Sequence, residues 1–213
     1  DALDDDLGGG LDYAYSDQWG FLTACPTNTG TGLRVSVLIH LPALVLTEDM
    51  ERVMRGLTQM TFTVRGFYGE GTNAVGNLFQ VSNQSTMGVP EGEIVDKLAE
   101  VTRQIMAHEK EAQAALLKEA PAQVEDKVWR AYGLLAHARV LSSQEFMNLL
   151  SAVRLGRSLG LVGRISSGFI NQLMIVTQPS HLRAEAGTDL SPEERDVRRA
   201  DLVRRRLAEL GAA

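Results

Sequence analysis

Apolar and polar residues alternate along a segment in the first half of the chain, from Leu33 to Leu41. Every second position there is aliphatic, and the positions between them carry Arg34, Ser36, Leu38 and His40. Successive side chains of a β-strand point to opposite faces, so the pattern predicts a strand with one buried aliphatic face. The other face would offer an arginine and a serine to a ligand or to solvent.

A second segment with the same alternation spans residues 60–65 and places Arg65 on its polar face. A glycine-rich loop that includes Glu70 follows it. Guanidinium groups bind phosphate oxygens through parallel hydrogen bonds, so two strands that each deliver one arginine to a polar face, beside glycine-rich backbone, indicate a polyphosphate site. Periodicity alone favours the alternative, in which Arg34 and Arg65 are solvated side chains of an antiparallel sheet.

Apolar spacing, prolines and glycines predict the remaining elements. Further strands are expected at residues 19–24 and 78–82, and helices at residues 47–60, 93–119, 124–140, 143–160 and after Ser191. Thr47 is the predicted N-cap of the first of these helices, and Pro42 ends the strand before it. The expected fold class is α+β, in which a partial antiparallel sheet flanked by helices is followed by an all-helical C-terminal domain.

Composition and charge restrict the classes of partner. The formal net charge is -6, which argues against nucleic acid, because a phosphate-backbone binder needs a basic surface. A single cysteine fits a reducing compartment, and no apolar run approaches the length of a membrane span. We therefore expect a cytoplasmic protein without a membrane or nucleic-acid partner. The chain begins at Asp1 without a methionine, which predicts a fragment of a longer protein.

Three motifs carry a resemblance to a known family. They are Cys25-Pro-Thr-Asn-Thr-Gly-Thr-Gly-Leu-Arg34, Val64-Arg-Gly-Phe-Tyr-Gly-Glu-Gly-Thr72 and Ser82-Asn-Gln84. Together they resemble the catalytic half of the phosphagen (guanidino) kinases, and with the helical C-terminal part they are similar to the bacterial protein-arginine kinases. The resemblance covers nearly the whole chain. It implies a partial catalytic domain over residues 1–117 and a helical C-terminal domain over residues 118–213.

The resemblance implies ATP-dependent phosphorylation of arginine side chains in proteins, with Mg2+ held mainly by the nucleotide and no metal site on the protein. Glu70 would orient the guanidinium and accept its proton, and the Cys25 thiolate would lie against it. Arg34 and Arg65 would bind the nucleotide phosphates during a loose phosphoryl transfer. The implied ATP-binding residues are Arg34, Val35, Ser36, Val37, Leu38, Arg65, Gly66, Phe67, Tyr68, Gly69 and Glu70.

The chain departs from the family pattern in ways that affect activity. The family's upstream Asn-Glu-Glu-Asp-type motif, which supplies a second glutamate, has no match here, and Asn73 stands where relatives usually carry an acidic residue. The N-terminal helical domain and the first nucleotide-binding arginines are also absent from the sequence. We expect feeble or no kinase activity from this chain alone.

The last helix combines a start signal with clustered arginines. Ser191-Pro-Glu-Glu194 has the spacing of a capping box. The commoner interpretation of a helix this rich in charge is a solvated surface on which arginines form ion pairs with acidic residues. The run that follows nevertheless matches the Arg-Asp-x-x-Arg-Ala motif of the resembled kinases, which implies allosteric binding of phosphoarginine. The implied residues are Arg195, Asp196, Arg198, Arg199 and Ala200, with the arginines on one face and Asp196 pairing with the guanidinium of the ligand.

The resemblance also implies partners. Substrates would be proteins with exposed arginines, including stress-response regulators and unfolded proteins marked for a Clp-type protease. The activator would be a zinc-binding adaptor, and the assembly would be a homodimer built through the helical domain. Two other functional classes stay open. One is a non-catalytic phosphoarginine-binding or dimerisation module that uses the last helix. The other is a thiol enzyme that pairs Cys25 with His40, which is disfavoured because no orienting acid is evident.

Overall fold

The computed structural model of the chain describes residues 2–67 and 74–211. Its helices are α1 (Ala2–Gly8), α2 (Pro42–Leu46), α3 (Met50–Gln59), α4 (Glu91–Glu119), α5 (Pro121–His137), α6 (Ser143–Ser158), α7 (Ser167–Val176), α8 (Pro179–Ala186) and α9 (Pro192–Gly211). Its strands are β1 (Tyr15–Ser16), β2 (Gly20–Phe21), β3 (Ser36–His40), β4 (Phe62–Gly66) and β5 (Leu78–Asn83). Small antiparallel sheets precede a helix-rich C-terminal part, which confirms the predicted α+β class.

A three-stranded antiparallel sheet in the order β3-β5-β4 carries the predicted polar face. In this sheet Ser82 of β5 lies between Ser36 and Thr63. One row along, Gln80 lies beside Arg65. The opposite face packs on α2, α3 and α4, because its side chains are apolar. Buried members of this core include Ile39, Phe62, Phe79, Val81, Leu98 and Val101.

Element boundaries in the first part of the sheet region differ from the prediction. The strand predicted over residues 19–24 is only the two-residue strand β2, which pairs with β1. The helix predicted to start at Thr47 begins at Met50. Thr47 instead ends the separate helix α2, and its backbone N–H donates to the carbonyl of Ala43. Glu48, with a φ of 60°, then turns the chain into α3.

A buried carboxylate from α4 binds the N-terminus of α2, a contact that the sequence pattern did not predict. Glu109 Oε1 accepts a hydrogen bond from the Ala43 N–H at 3.0 Å, and Oε2 accepts one from the Leu44 N–H at 3.0 Å. Burial raises the pKa of Glu109, and hydrogen bonds from Gln113 and these two N–H groups oppose the shift. Pro42 fits the first position of α2 because a helix leaves that N–H unused.

A second core holds the helices α5, α6, α7 and α9 together. Its buried members include Val128, Leu135, Phe146, Leu150, Ile170 and Val203. Ser142 and Ser166 cap α6 and α7, because each hydroxyl accepts a backbone N–H from the first turn. The helices α7 and α8 occupy a segment for which no helix is predicted above. Within residues 2–67 and 74–211, no helix is both long and apolar enough to cross a membrane.

A polar contact joins the sheet to this helical part. His40 Nε2 lies 2.8 Å from Ser151 Oγ, and Asn77 Nδ2 donates to the same hydroxyl at 2.9 Å. Burial and the nearby positive charge of Arg154 lower the pKa of His40 to about 3. A neutral imidazole engaged with Ser151 is a poor base near neutral pH, which counts against pairing of His40 with the thiol of Cys25.

Candidate functional site

Two exposed arginines lie on the polar face of the three-stranded sheet. Arg34 precedes β3, and its Nη2 donates to the Ser82 hydroxyl on β5 at 3.2 Å. Residue 36 of β3 pairs with residue 82 of β5, so the same register would place Arg34 opposite residue 84. Arg65 of β4 pairs with Gln80, which lies four residues from position 84 along the chain. With strands about 4.8 Å apart and a rise of about 3.4 Å per residue, the two Cα atoms are roughly 17 Å apart. Two long side chains that lean towards each other can span a polyphosphate over that distance.

The strand between the two arginines organises the residues beside it. Asn83 Oδ1 accepts the Val35 N–H at 2.8 Å, and Asn83 Nδ2 donates to the Leu33 carbonyl at 3.0 Å. These bonds hold the segment around Arg34, which comes just before β3, against β5. Ser82 and Asn83 are thus supporting residues that the site prediction omitted, although the motif Ser82-Asn-Gln84 was the signal for them.

The other predicted nucleotide-binding residues divide between the two faces of the sheet. Ser36 and Leu38 are exposed on the polar face with Arg34. Val35 and Val37 turn the other way and pack against the core, so only their main chain can face a nucleotide. Their assignment to the nucleotide site, which the resemblance implies, stays a prediction. Gly66 ends β4, Phe67 follows it and is exposed, and the predicted residues Tyr68, Gly69 and Glu70 lie outside the described residues.

The predicted thiol lies in an exposed loop. Cys25 Sγ lies 3.0 Å from Thr27 Oγ1, at the start of a 3-10 turn over Pro26–Asn28. Hydrogen bonds from the Thr27 hydroxyl and from its backbone lower the pKa of the Cys25 thiol. A larger thiolate fraction near neutral pH makes this cysteine a better nucleophile and a better partner for a cationic guanidinium.

The Cys25 loop is tied to the segment that follows β5. Thr86, which is 5% exposed, places its Oγ1 3.0 Å from the Thr27 carbonyl and 2.8 Å from the Thr29 carbonyl. Its own carbonyl accepts the Thr31 N–H at 2.9 Å. One short stretch, residues 82–86, therefore contacts both the Arg34 guanidinium and the loop that presents Cys25.

The arginines that the sequence places on one face of α9 differ in their exposure. The capping box is present: the Ser191 N–H donates to Glu194 Oε2 at 2.8 Å, and the Glu194 N–H donates to Ser191 Oγ at 3.2 Å. Arg198 is exposed, but Arg199 is only 1% exposed. The Arg199 side chain is therefore not at the surface in this structure, and its contact with phosphoarginine stays a prediction.

The guanidinium of Arg199 makes its hydrogen bonds inside the helical part. Its Nε donates to the Thr177 carbonyl at 3.1 Å, and its Nη1 donates to the Leu141 carbonyl at 2.7 Å and to Asp196 Oδ1 at 2.6 Å. Ala200 beside it is fully buried, and Arg195 is half-buried. Asp196, predicted to receive a ligand guanidinium, instead pairs with that of Arg199.

An open groove of about 980 Å³ runs beside α9 and is lined by Arg198 among other residues. Its charged lining consists of Glu185, Asp189, Glu193, Glu194, Arg198, Asp201, Arg204 and Arg205. Carboxylates outnumber arginines there, so the groove as it stands does not favour an anion. Across residues 2–67 and 74–211, no group of three or more His, Cys, Asp or Glu side chains is placed to hold a metal ion.

Comparisons with known proteins agree with the motifs. Residues 1–112 match the model of the ATP:guanido phosphotransferase C-terminal catalytic domain, and residues 121–213 match that of the protein-arginine kinase McsB C-terminal domain. The protein-arginine kinase of Desulforamulus reducens is 52% identical over 208 residues, covering 98% of this chain and 58% of the relative. That of Geobacillus kaustophilus is 52% identical over 205 residues, covering 96% and 56%.

A solved lombricine kinase is 31% identical over the part that it shares, which is 51% of this chain and 29% of that structure, with a TM-score of 0.44. Family membership rests on the sequence matches. The chain spans 58% and 56% of the two curated relatives' lengths. The chain belongs to the ATP:guanido phosphotransferase family, and over nearly its whole length it is similar to the C-terminal part of protein-arginine kinases.

Proposed function

We propose that this chain is part of an enzyme that transfers the terminal phosphoryl group of ATP to arginine side chains of proteins. The observation that carries the proposal is the pair of exposed arginines, Arg34 and Arg65, on one face of one sheet. The loop of Cys25 is tied to the strand that separates them. Phosphate ligands and a thiolate suited to a guanidinium thus belong to one compact part of the fold.

The nucleotide would lie over the polar face of the sheet. Arg34, held by its hydrogen bond to Ser82, and Arg65 would bind the phosphate oxygens, and Ser36 and Leu38 would contact the nucleoside. An exposed, cationic face with a prearranged guanidinium suits this ligand, because phosphoryl transfer is catalysed mainly by positioning and charge neutralisation. Magnesium bound to the nucleotide would supply further positive charge at the phosphates.

The arginine acceptor would approach from the side of the Cys25 loop. A guanidinium is protonated at neutral pH and must lose a proton as the phosphoryl group arrives. The Cys25 thiolate would hold the cation, and Glu70 would orient it and accept its proton, in line with the family motif. The second glutamate and the first nucleotide-binding arginines would come from sequence upstream of residue 1.

Regulation and partners extend this proposal. Phosphoarginine would bind at α9, where Arg198 is exposed and Arg195 is half-buried. Recruitment of Arg199 and Asp196 would require their present pair to open. By analogy with the family, the substrates would be proteins destined for a Clp-type protease, the activator a zinc-binding adaptor, the assembly a homodimer and the compartment the cytoplasm.

Binding of Mg·ATP to this chain, measured by calorimetry, tests the nucleotide site. Replacing either arginine, as R34A or R65A, removes a charged hydrogen-bond partner, so we expect affinity to fall about 10- to 100-fold. R52A is the matched control, because Arg52 is an exposed arginine of α3 paired with Asp49. Equal affinity for all four proteins would contradict the site.

Phosphoarginine formation on a protein substrate tests the reaction itself. The assay uses the protein extended by the upstream sequence that its relatives carry, with and without R34A. Loss of product in R34A supports the kinase. Binding of phosphoarginine without any binding of ATP would instead favour the non-catalytic module.

A further inference from the structure

Thr86 makes a set of contacts that no assigned role explains. The residue lies after β5, outside every motif that predicts the site, and is almost completely buried although its side chain is polar. Its hydroxyl lies within hydrogen-bond distance of two carbonyls of one loop, those of Thr27 and Thr29. A buried hydroxyl bonded to another loop's main chain holds that loop more strongly than packing alone does.

The backbone around Thr86 strengthens the same junction. The Thr86 carbonyl accepts the Thr31 N–H, so the Cys25 loop is held on both sides of Gly30. Gly30 has a φ of 115°, and a Cβ at this position would overlap the Thr86 carbonyl oxygen and the Met87 Cα. Only glycine allows this close approach of two backbones.

The bonds to Thr86 act on the part of the loop that contacts the thiol. Thr27 supplies both the carbonyl that faces Thr86 and the Oγ1 that lies 3.0 Å from Cys25 Sγ. Thr23 Oγ1 also donates to the Cys25 carbonyl at 2.6 Å. These neighbours of the thiol are neutral, so their hydrogen bonds, and not a fixed charge, set its environment among the described residues.

We propose that Thr86 is a positioning residue for Cys25: its buried hydroxyl fixes the Thr27–Thr29 turn and thereby holds Thr27 against the thiol. The hydrogen bonds of Thr86 go to the backbone of the loop and not to the thiol. Its effect passes through the loop and is separate from the support that Ser82 and Asn83 give to Arg34. The importance of this effect for phosphoryl transfer rests on the proposed function, but its effect on the thiol does not.

The test follows alkylation of the thiol by iodoacetamide as a function of pH. Cys25 is the single cysteine of the chain, so the reaction reports on this site alone. Without the Thr86 hydroxyl, as in T86V and T86A, the turn loosens and Thr27 no longer favours the thiolate. We expect the midpoint of the profile to move to higher pH, and the rate near pH 7 to fall about 3- to 10-fold.

Two further variants separate positioning from general stability. T86S keeps the hydroxyl and should restore the wild-type profile. T102V removes a threonine hydroxyl that bonds the Leu98 carbonyl within α4, and it should leave the profile unchanged. Circular dichroism identifies which of T86V and T86A is folded. G30A forces the same two backbones apart and is an independent perturbation, for which we also expect the midpoint of the alkylation profile to move to higher pH.

A folded T86V or T86A with the wild-type alkylation profile would overturn the proposal. If both unfold, an unchanged profile in folded G30A would overturn it, as would failure of T86S to restore the profile. In the kinase assay, T86V should lower kcat and leave KM for ATP nearly unchanged, because Arg34 has its own supports. A shifted thiol profile, together with no kinase activity in the protein extended by its upstream sequence, would uphold this inference and reject the proposed function.

Discussion

The guanidinium of Arg34 lies across the central strand of the sheet and donates a hydrogen bond to the buried hydroxyl of Ser82 at 3.2 Å. The Arg34 side chain is exposed, but this bond already restricts the position of its guanidinium. It therefore loses less conformational entropy when it binds an anion. This hydrogen bond explains why Ser82, although polar, is only 1% exposed on the polar face of the sheet: the Arg34 side chain covers it.

The variant S82A should weaken ATP binding without unfolding the protein. Loss of one hydrogen bond frees the Arg34 side chain, and we expect the dissociation constant for Mg·ATP to rise about 3- to 10-fold. Calorimetry on S82A measures this change. S85A removes the exposed hydroxyl of a nearby serine and should bind ATP as the wild type does, so equal weakening in both variants would contradict the role of Ser82.

The variant E109Q should destabilise the fold. The amide can accept only one of the two N–H groups of α2, and its NH2 group opposes the other, so the free energy of unfolding should fall by about 1–3 kcal/mol. Urea denaturation measures the loss. E111Q, which alters an exposed glutamate of the same helix, is the control and should change stability by less than about 0.5 kcal/mol.

The pH dependence of stability also distinguishes E109Q from the wild type. Burial raises the pKa of Glu109 in the folded state. Between the ordinary pKa of a glutamate and this raised value, the folded chain holds a proton that the unfolded chain has released. The contribution of Glu109 to stability therefore falls as pH rises through that window, and E109Q should lack this component.

His40, half-buried beside Ser151, predicts the opposite dependence. Its pKa in the folded state is about 3, whereas unfolded histidine titrates near its ordinary value, so the unfolded chain binds more protons between the two. Its contribution to stability is therefore lost as pH falls, by about 2 kcal/mol between pH 7 and pH 5. Denaturation of wild type and H40Q at both pH values measures the difference. H181Q, at an exposed histidine, should behave as wild type.

The adjacent arginines of α9 should respond differently to substitution. R199A removes a buried guanidinium and leaves the Thr177 and Leu141 carbonyls and Asp196 without it, which should destabilise the fold by about 3–5 kcal/mol. R198A should leave thermal stability unchanged and weaken phosphoarginine binding. Equal stability of R199A and wild type would contradict the buried structural role of Arg199.

Sequence periodicity predicted the sheet well because one physical rule governs it. Alternation placed Arg34 and Arg65 on the polar face, and the pairing of β3 and β4 with β5 puts both on the same side. The long helices followed from apolar spacing for a similar reason. Local patterns were sufficient where the burial of one face decided the structure.

Contacts between distant segments could not be predicted in this way. Glu109 binds α2 from 65 and 66 residues away, and Thr86 reaches the Cys25 loop across 57 and 59 residues. Arg199 looked like a surface arginine because its helix is rich in charge, yet carbonyls contributed by two other segments allow its burial. No local rule in the sequence specifies such partners.

Mapping of Mg·ATP binding onto the backbone amides by NMR tests the central claim most directly. If the polar face binds the nucleotide phosphates, the largest shifts will fall at residues 34–38, 65–67 and 80–83, and R34A will abolish them while R52A will not. Shifts confined to α9 or to the helical part, with the sheet unchanged, would contradict the nucleotide site.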